Sequence, residues 1–405
     1  MKDLIKKINF FSVQIVLVLL FGLVLFPSNI KTYIIFLFSL IVVIKAFINK
    51  TKINKSLFFI NSVIYVFVIF TFFYSDNKKN AFFLLQTMSS LIVFPLIFSL
   101  LNQSDKEYII KNTKNYLWVY IISITLFNTV PFLWYLITQD TLIEIITHYP
   151  RAIIIDFGKY TIHPIYTAMH CSIAILFSGY LLKNNYNKVQ KILLYFLIIL
   201  FILFLIIYTK KGPILSLIIT ILVWTMLDIK SNIKNNMFYV LGFVVLILLT
   251  PKIRTKFIEL VSFEKATSSL NATSTNIRYS IYSNSLDLIS ESPLFGYGIG
   301  DVNDQLIKKY KENSTFLLDK NYNSHNQYLS FVLMGGFGLL FIFLFFYYKN
   351  LFISYQKNNN ILIILLVFYG TMMLFENILE RENGVIFFSL FVNFFSLKNY
   401  LRIEE

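Results

Sequence analysis

The sequence predicts an all-α, polytopic membrane protein with about 12 transmembrane helices and one large outer helical loop. Hydrophobic residues make up 57% of the 405 residues and charged residues only 14%, which lies outside the range of soluble globular domains. The hydrophobic residues form blocks long enough to cross a bilayer, which takes about 20 residues per helix. Two longer polar segments, residues 138–161 and 251–325, separate these blocks.

Twelve spans are predicted, of which the eighth, ninth and twelfth are shorter than a perpendicular crossing needs. They are Asn9–Phe26, Ile30–Ile48, Ser56–Tyr74, Asn80–Leu101, Tyr116–Ile137, Ile162–Leu182, Ile192–Tyr208, Pro213–Leu227, Met237–Thr250, Asn326–Tyr348, Ile361–Leu379 and Gly384–Leu397. No small-residue cleavage site follows the first span, so we expect a retained helix rather than a signal peptide. The predicted division is residues 1–250 with helices 1–9, an outer domain 251–325, and residues 326–405 with helices 10–12.

The distribution of Lys and Arg predicts the orientation of the spans. With the N-terminus in the cytoplasm, 18 of the 36 basic residues and only six acidic residues fall on the cytoplasmic side, as the positive-inside rule requires. Both chain ends are then cytoplasmic and both long loops lie outside. This asymmetry accounts for the net charge of +15 without a nucleic-acid partner.

His325 is the strongest candidate for a catalytic residue. Ser324 and Gln327 have the spacing of a capping box, which predicts His325 as the first residue of the tenth helix. The positive end of a helix favours a neutral imidazole, the form that a general base requires. The alternative is a polar residue that lies near lipid headgroups.

Arg278 lies in a second predicted helix within the outer segment. Ile277, Ile281 and Leu288 recur at helical spacing, and Thr273 or the serine after it can cap the start. A guanidinium on this helix has the shape to bind a phosphate with two parallel hydrogen bonds. The alternative is an arginine that extends to lipid headgroups.

Two groups of glycines follow. Alternate glycines in Gly296–Gly300 allow backbone amides to approach a phosphate, but a tight turn that needs unusual dihedral angles is the commoner reason for such a pattern. Gly335, Gly336 and Gly338 fall inside the tenth predicted span, where small residues most simply permit close helix packing.

Further charged residues gather near the predicted outer face. Lys210 and Lys211 form a short turn that suits an anion, although anchoring to headgroups is an equally good account. Glu376 and Glu380 are predicted one helical turn apart at the outer end of the eleventh span. They would orient a cation such as Arg278 or Lys211, or serve as ordinary interfacial charges.

A polar stripe is predicted in the sixth span. His163 opens the helix, and Tyr166 and His170 follow on the same face. Zinc is a poor explanation, because metal-binding histidine pairs on a helix usually lie four residues apart with a third ligand nearby. We therefore predict no metal site and expect the stripe to face the interior of the helix bundle.

Four motifs together resemble the signature of the O-antigen ligase and O-antigen polymerase superfamily. They are Arg-Tyr-Ser-Ile-Tyr at Arg278–Tyr282, Ser-Pro-Leu-Phe-Gly-Tyr-Gly-Ile-Gly at Ser292–Gly300, His-Asn-Gln-Tyr-Leu at His325–Leu329, and the glycines at Gly335–Gly338. The outline of twelve spans with one large outer loop extends this resemblance over the chain, although hydropathy is much less specific than the motifs.

The resemblance implies a fold of the class C glycosyltransferase type. It also implies an inverting, metal-independent and cofactor-free transfer of a glycan from a polyprenyl diphosphate. The family's catalytic histidine corresponds to His325, as base toward the acceptor hydroxyl, and its loop arginine to Arg278, as a clamp on the donor diphosphate. A further family arginine corresponds to Lys211, which keeps the charge but lacks the two-pronged guanidinium. His163 and Tyr166 also resemble the family pattern, without an assigned role.

The expected partners are therefore a polyprenyl diphosphate-linked glycan, a glycolipid or glycan acceptor, and membrane lipids. The acceptor decides between two activities: a ligase transfers the glycan to a lipid A core, and a polymerase extends repeat units. We favour the ligase slightly. A polysaccharide or lipid transporter is the alternative from another class, and it would place polar residues deep in several helices. The predicted location is the bacterial inner membrane with a periplasmic active site.

Overall fold

The computed structural model describes residues 13–138, 141–183, 186–227, 251–259, 264–266, 271–313, 315–318 and 320–401. All regular secondary structure within these ranges is helical, which confirms the all-α prediction there. Seven helices of the described residues are long and apolar enough to cross a membrane. The chain is a multi-pass membrane protein, and the number of twelve spans stays a prediction.

The helices that follow helical residues 13–21 are numbered here in chain order. They are α1 (Ser28–Ile48), α2 (Lys55–Tyr74), α3 (Lys78–Met88), α4 (Ser90–Ser99), α5 (Gln103–Lys111), α6 (Thr113–Thr138), α7 (Leu142–Phe157), α8 (Pro164–Leu182), α9 (Lys188–Tyr208), α10 (Lys211–Leu227), α11 (Pro251–Ile258), α12 (Ser274–Glu291), α13 (Val302–Asn313), α14 (Thr315–Leu318), α15 (Gln327–Gln356), α16 (Asn360–Met372) and α17 (Glu382–Ser396). Short 3-10 helices cover Leu23–Leu25, Gly158–Tyr160, Ile378–Glu380 and Leu397–Tyr400.

The chain forms two compact units. The first comprises Met1–Asn54, Ile97–Ile221 and Leu397–Glu405, and the second comprises Lys55–Leu96 and Leu222–Ser396. The division into residues 1–250, 251–325 and 326–405 stays a prediction about the membrane and outer parts of the chain.

Most predicted spans correspond to observed helices. The second to the seventh match α1, α2, α3 with α4, α6, α8 and α9, which all have the length and hydropathy of membrane spans. The eighth matches α10, which is apolar but shorter, and the twelfth matches α17, which is buried along nearly its whole length. The ninth predicted span, Met237–Thr250, lies outside the described residues.

The eleventh predicted span ends seven residues too late, since α16 stops at Met372. Hydropathy alone extended it to Leu379 because the residues after Met372 are largely apolar. Instead of continuing the helix, the chain turns there, and the carbonyl of Met373 accepts a hydrogen bond from the amide of Gln327 at 2.9 Å. Glu376 therefore lies in a loop and Glu380 in a 3-10 helix, not one turn apart on a single helix.

The core of the first unit is built around α8, which packs between α6 and α9. His163 caps this helix and Pro164 occupies its first position, as the sequence predicts. Tyr166 and His170 are buried, and Nδ1 of His170 lies 2.7 Å from the Tyr120 hydroxyl. The polar stripe thus faces the interior of this unit, as expected.

In the second unit α2 packs along α15, and α15 is interrupted at Gly335 and Gly336. Gly336 has a φ of +64°, and a Cβ atom there would lie 2.0 Å from the carbonyl oxygen of Leu294. A Cβ at Gly338 would meet no atom within 4 Å. The predicted role in helix packing is therefore wrong for Gly336: its missing side chain admits the backbone of a loop into a break in the helix.

Candidate active site

The helix α12 begins as the sequence predicts, because the side chain of Thr273 accepts a hydrogen bond from the amide of Asn276 at 3.2 Å. Its buried face carries both polar and apolar residues, among them Asn276 and Ile281. Arg278 and Tyr282 lie one turn apart on this helix. The Tyr282 hydroxyl donates to the carbonyl of Leu374 at 2.7 Å, which ties α12 to the turn after α16.

His325 lies just before α15, and the predicted capping box is wrong. The cap is Asn326, whose side chain accepts hydrogen bonds from the amides of Tyr328 and Leu329 at 2.9 and 3.2 Å. Ser324 instead donates to the carbonyl of Asn326. His325 therefore precedes the cap and has a φ of +44°, in the left-handed region that non-glycine residues rarely adopt.

Several contacts hold His325 in this conformation. Its amide donates to the side-chain oxygen of Asn323 at 3.2 Å, and its carbonyl accepts a hydrogen bond of 3.2 Å from the Tyr282 hydroxyl. The ring of Tyr322 lies 5.8 Å from the imidazole, measured between centroids. A strained backbone that surrounding residues maintain is typical of functional sites.

Glu376 is the partner of the histidine ring. Nδ1 of His325 lies 3.2 Å from Oε2 of Glu376, and the Glu376 side chain is 8% exposed while that of His325 is 25% exposed. Burial raises the pKa of Glu376, but the hydrogen bond and charge of His325, with the charges of Arg278 and Arg381, lower it overall below 4.5. An ionised carboxylate only accepts, so Nδ1 carries a hydrogen, and when the ring has only this hydrogen Nε2 can accept a proton.

The positive charge of Arg278 acts on the same site. It contributes to lowering the pKa of Glu376, and it opposes the effect of burial, which raises the pKa of Tyr282. Nη1 of Arg278 donates to the carbonyl of Ser274 at 3.3 Å, whereas its buried Nε has no hydrogen-bond partner among the described residues. The Arg278 cation with its unsatisfied donor suits an anionic group, and the accepting nitrogen of His325 suits a group that loses a proton.

A second layer of hydrogen bonds supports the pair formed by His325 and Glu376. Its centre is Glu380, which accepts from the Gln327 side chain at 2.9 Å, from Ser330 at 2.5 Å and from Asn377 at 3.1 Å. Burial raises the pKa of Glu380, and these three donors oppose that effect. The side-chain amide of Asn377 also donates to the Ser324 hydroxyl at 3.0 Å. The layer fixes both ends of the loop on which Glu376 lies.

The turn Gly296–Gly300 does not offer its amides to a phosphate. Those of Tyr297 and Gly298 donate to the carbonyls of Leu333 and Met334 at 2.7 and 2.9 Å, and that of Gly300 donates to the Ser75 hydroxyl. The values of φ at Gly296 and Gly298 are +62° and +88°, which explains why glycine occurs there. The tight-turn interpretation is the one that the structure supports.

The remaining candidates lie in the first unit. Lys210 and Lys211 follow Thr209, the left-handed end of α9 with a φ of +49°, and Lys211 is buried at the start of α10. The Tyr208 hydroxyl donates to the side chain of Asn128 at 2.8 Å and anchors this turn. His163 and Tyr166 lie on the neighbouring α8.

Three residues of the site were assigned no role from the sequence: Tyr282, Asn326 and Asn377. An asparagine before a helix is a recognisable cap, so Asn326 could have been found, whereas the contacts of the other two are visible only in three dimensions. Among the described residues no group of three or more His, Cys, Asp and Glu side chains is placed to hold a metal ion.

Residues 194–344 match the family described as O-Antigen ligase, which confirms the resemblance drawn from the sequence. The matched region contains Lys210, Lys211, Arg278 and His325 and ends inside α15. No curated protein sequence matches the chain. The family indicates an activity of O-antigen ligase or polymerase type and lipid-linked glycan substrates, and so favours an enzyme over a transporter.

Proposed function

We propose that this chain, with its O-antigen ligase segment over residues 194–344, transfers a glycan from a polyprenyl diphosphate to an acceptor hydroxyl. The observation that carries the proposal is the contact of 3.2 Å between Nδ1 of His325 and Glu376. It leaves Nε2 as a proton acceptor in the same polar segment as the Arg278 cation, next to a membrane-spanning helix.

The reaction is a single displacement. The acceptor oxygen forms a bond to the anomeric carbon of the donor sugar while the bond from that carbon to the diphosphate oxygen breaks. The electron pair of the broken bond leaves with the diphosphate, and the acceptor proton passes to Nε2 of His325. Attack from the side opposite the leaving group inverts the anomeric centre.

Each residue has a defined part in this step. His325 acts as the general base, and the Glu376 carboxylate holds its tautomer and stabilises the imidazolium that forms. Arg278 binds the donor diphosphate and stabilises the charge that develops on it, because a guanidinium pairs with phosphate oxygens through parallel hydrogen bonds. Glu380 supports Glu376 through Asn377 and Gln327.

Lys210 and Lys211 are the second cationic element of the proposal. We assign them to phosphate oxygens of the donor, with Lys211 in the position of the family arginine and the weaker geometry of a single ammonium. His163 and Tyr166, at the start of the adjacent α8, support this turn. A Lys211→Arg variant should retain donor use and a Lys211→Ala variant should lose it, measured as the KM for the donor.

The favoured acceptor is a lipid A core, which makes the protein a ligase, with a repeat-unit polymerase as the alternative. The proposed setting is the bacterial inner membrane, with both chain ends in the cytoplasm and the outer domain 251–325 in the periplasm. The basic residues on the predicted cytoplasmic loops support this orientation.

The test is a gel of surface glycolipid from strains that carry His325→Ala or His325→Asn. Asparagine tolerates a left-handed backbone, so the second variant separates lost chemistry from a misfolded loop. Loss of all long glycan from the core indicates a ligase, and core that bears a single repeat unit indicates a polymerase. A His148→Ala strain, changed at an exposed histidine of α7, is the matched control. Normal glycan ladders with either His325 variant present in the membrane would refute the transfer activity.

A further inference from the structure

Leu294 and Phe295 are the most exposed apolar pair among the described residues of the outer segment. Their exposed fractions are 71% and 74%, and they are neighbours in the loop that follows α12. Adjacent large apolar side chains with this exposure are unfavourable in water. Hydrogen bonds nevertheless hold the loop that carries them in place. The two side chains therefore require apolar surroundings.

The loop is fixed inside the break of α15. The carbonyl of Pro293 accepts a hydrogen bond from the amide of Phe337 at 2.9 Å, and the amide of Tyr297 donates to the carbonyl of Leu333 at 2.7 Å. One end of the loop therefore pairs with the inner part of α15 and the other with its outer part. Gly336 makes this possible, because any side chain there would collide with Leu294.

The break lies at a depth that corresponds to the membrane interior. Lys349 is the first charged residue of α15, and Gly336 precedes it by about 20 Å of helix at 1.5 Å per residue. The hydrocarbon core of a bilayer is about 30 Å thick. With Lys349 at the cytoplasmic boundary, Gly336 and the loop bonded to it lie within the outer part of the hydrocarbon layer.

The backbone of the loop is suited to that location. Irregular backbone within a membrane requires internal partners for its polar groups. The carbonyl of Phe295 accepts a hydrogen bond from the Tyr74 hydroxyl at 2.8 Å, and that of Gly296 accepts one from Ser292 at 2.9 Å. The amide of Gly298 donates to Met334 at 2.9 Å. These backbone groups are thus paired, while the side chains of Leu294 and Phe295 remain uncovered.

The helices that hold the loop expose apolar side chains of their own. Phe337 and Phe341 lie one turn apart on α15 and are 42% and 66% exposed, and Phe70 on α2 is 57% exposed. Both helices have the length and hydropathy of membrane spans. The surface on either side of the loop therefore faces lipid.

We propose that Leu294 and Phe295 form a lipid-contacting wedge, seated among the acyl chains of the surrounding bilayer phospholipids. The wedge fixes the depth of the C-terminal end of α12, and with it the level of the outer segment above the membrane. This proposal does not depend on the transfer reaction.

Spin labels test the wedge in the full-length protein. Phe295→Cys is labelled with a nitroxide and reconstituted in phosphatidylcholine and phosphatidylglycerol vesicles, and its accessibility to oxygen and to a water-soluble nickel chelate is measured. Cys171 is buried, so the unchanged protein sets the background. A label at Phe341→Cys is the lipid-facing reference, and one at Ser274→Cys, at the exposed start of α12, is the aqueous reference.

We expect the ratio of oxygen accessibility to nickel-chelate accessibility at residue 295 to be at least as large as that of a label near a bilayer interface. It should resemble the ratio measured at residue 341. Leu294→Cys should give the same result and guards against a local effect of one substitution. A ratio equal to that at residue 274 for both variants would overturn the proposal. Protection that arises only when a polyprenyl diphosphate is added would also overturn it, because the pair would then bind the donor chain.

Discussion

Nδ1 of His325 lies 3.2 Å from Oε2 of Glu376, although 50 residues separate the two in the chain. The carboxylate holds the hydrogen of the imidazole on Nδ1 and leaves Nε2 free for a substrate proton. The left-handed backbone of His325 and the position of Glu376 in a loop together bring these two atoms into contact.

Replacing Glu376 by Gln should lower the transfer rate on the order of 10²-fold or more, because an amide stabilises an imidazolium poorly. The measurement is the initial rate of glycan transfer by purified protein from a polyprenyl diphosphate donor. Glu291→Gln is the matched control, since Glu291 pairs with Lys309 on the exposed side of α12. An equal rate for wild type and Glu376→Gln would show that the contact has no catalytic role.

The same pair predicts a dependence of stability on pH. The pKa of Glu376 is lowered below 4.5 in the folded protein, so its ionised form stabilises the fold above about pH 4.5, and this contribution is lost as the pH falls through the folded value. The thermal unfolding midpoints of wild type and Glu376→Gln should therefore converge as the pH falls below about 4.5. Glu380 titrates in both proteins, so its effect largely cancels. A difference that grows toward acid pH would contradict the assignment.

Arg278→Ala should raise the KM for the donor by about tenfold or more, and Arg278→Lys should raise it less, because lysine keeps the charge but not the paired hydrogen bonds. Lys308→Ala, at an exposed lysine of α13, controls for the general positive field of the outer segment. If all three variants bind the donor as wild type does, Arg278 only anchors lipid.

Gly336→Ala should destabilise the protein by at least about 2 kcal/mol, since alanine is unfavourable at positive φ and its Cβ would collide with the Leu294 carbonyl. Gly338→Ala provides the control in the same helix, because nothing lies within 4 Å of its Cβ. Unfolding midpoints in detergent compare the two variants. Equal midpoints would mean that the loop does not occupy the break.

The helical fold was predictable because long apolar blocks leave few alternatives to membrane helices. Their ends were less predictable. The residues after Met372 are apolar, but the chain turns there to pair with Gln327, and hydropathy does not distinguish a buried turn from a helix. The contact between Glu376 and His325 depends on that turn and was therefore not predicted.

The start of α15 shows how two local signals compete. Ser324 and Gln327 have capping-box spacing, but the Gln327 side chain instead donates to Glu380 and accepts from the amide of Leu379. Without that glutamine no box forms, and Asn326, an equally good cap, takes the position. His325 remains the predicted base, but its left-handed backbone has no signature in the sequence.

We expect the break at Gly335 and Gly336 to divide α15 into two parts that open independently of each other. The outer part, residues 327–334, pairs its last carbonyls with Tyr297 and Gly298, while the inner part begins at a hydrogen bond from Phe337 to Pro293. Local opening propagates along continuous helical hydrogen bonds, and that continuity is lost here. Amide hydrogen exchange should therefore protect residues 327–334 together with the loop after α12, and residues 337–356 as a separate cooperative unit.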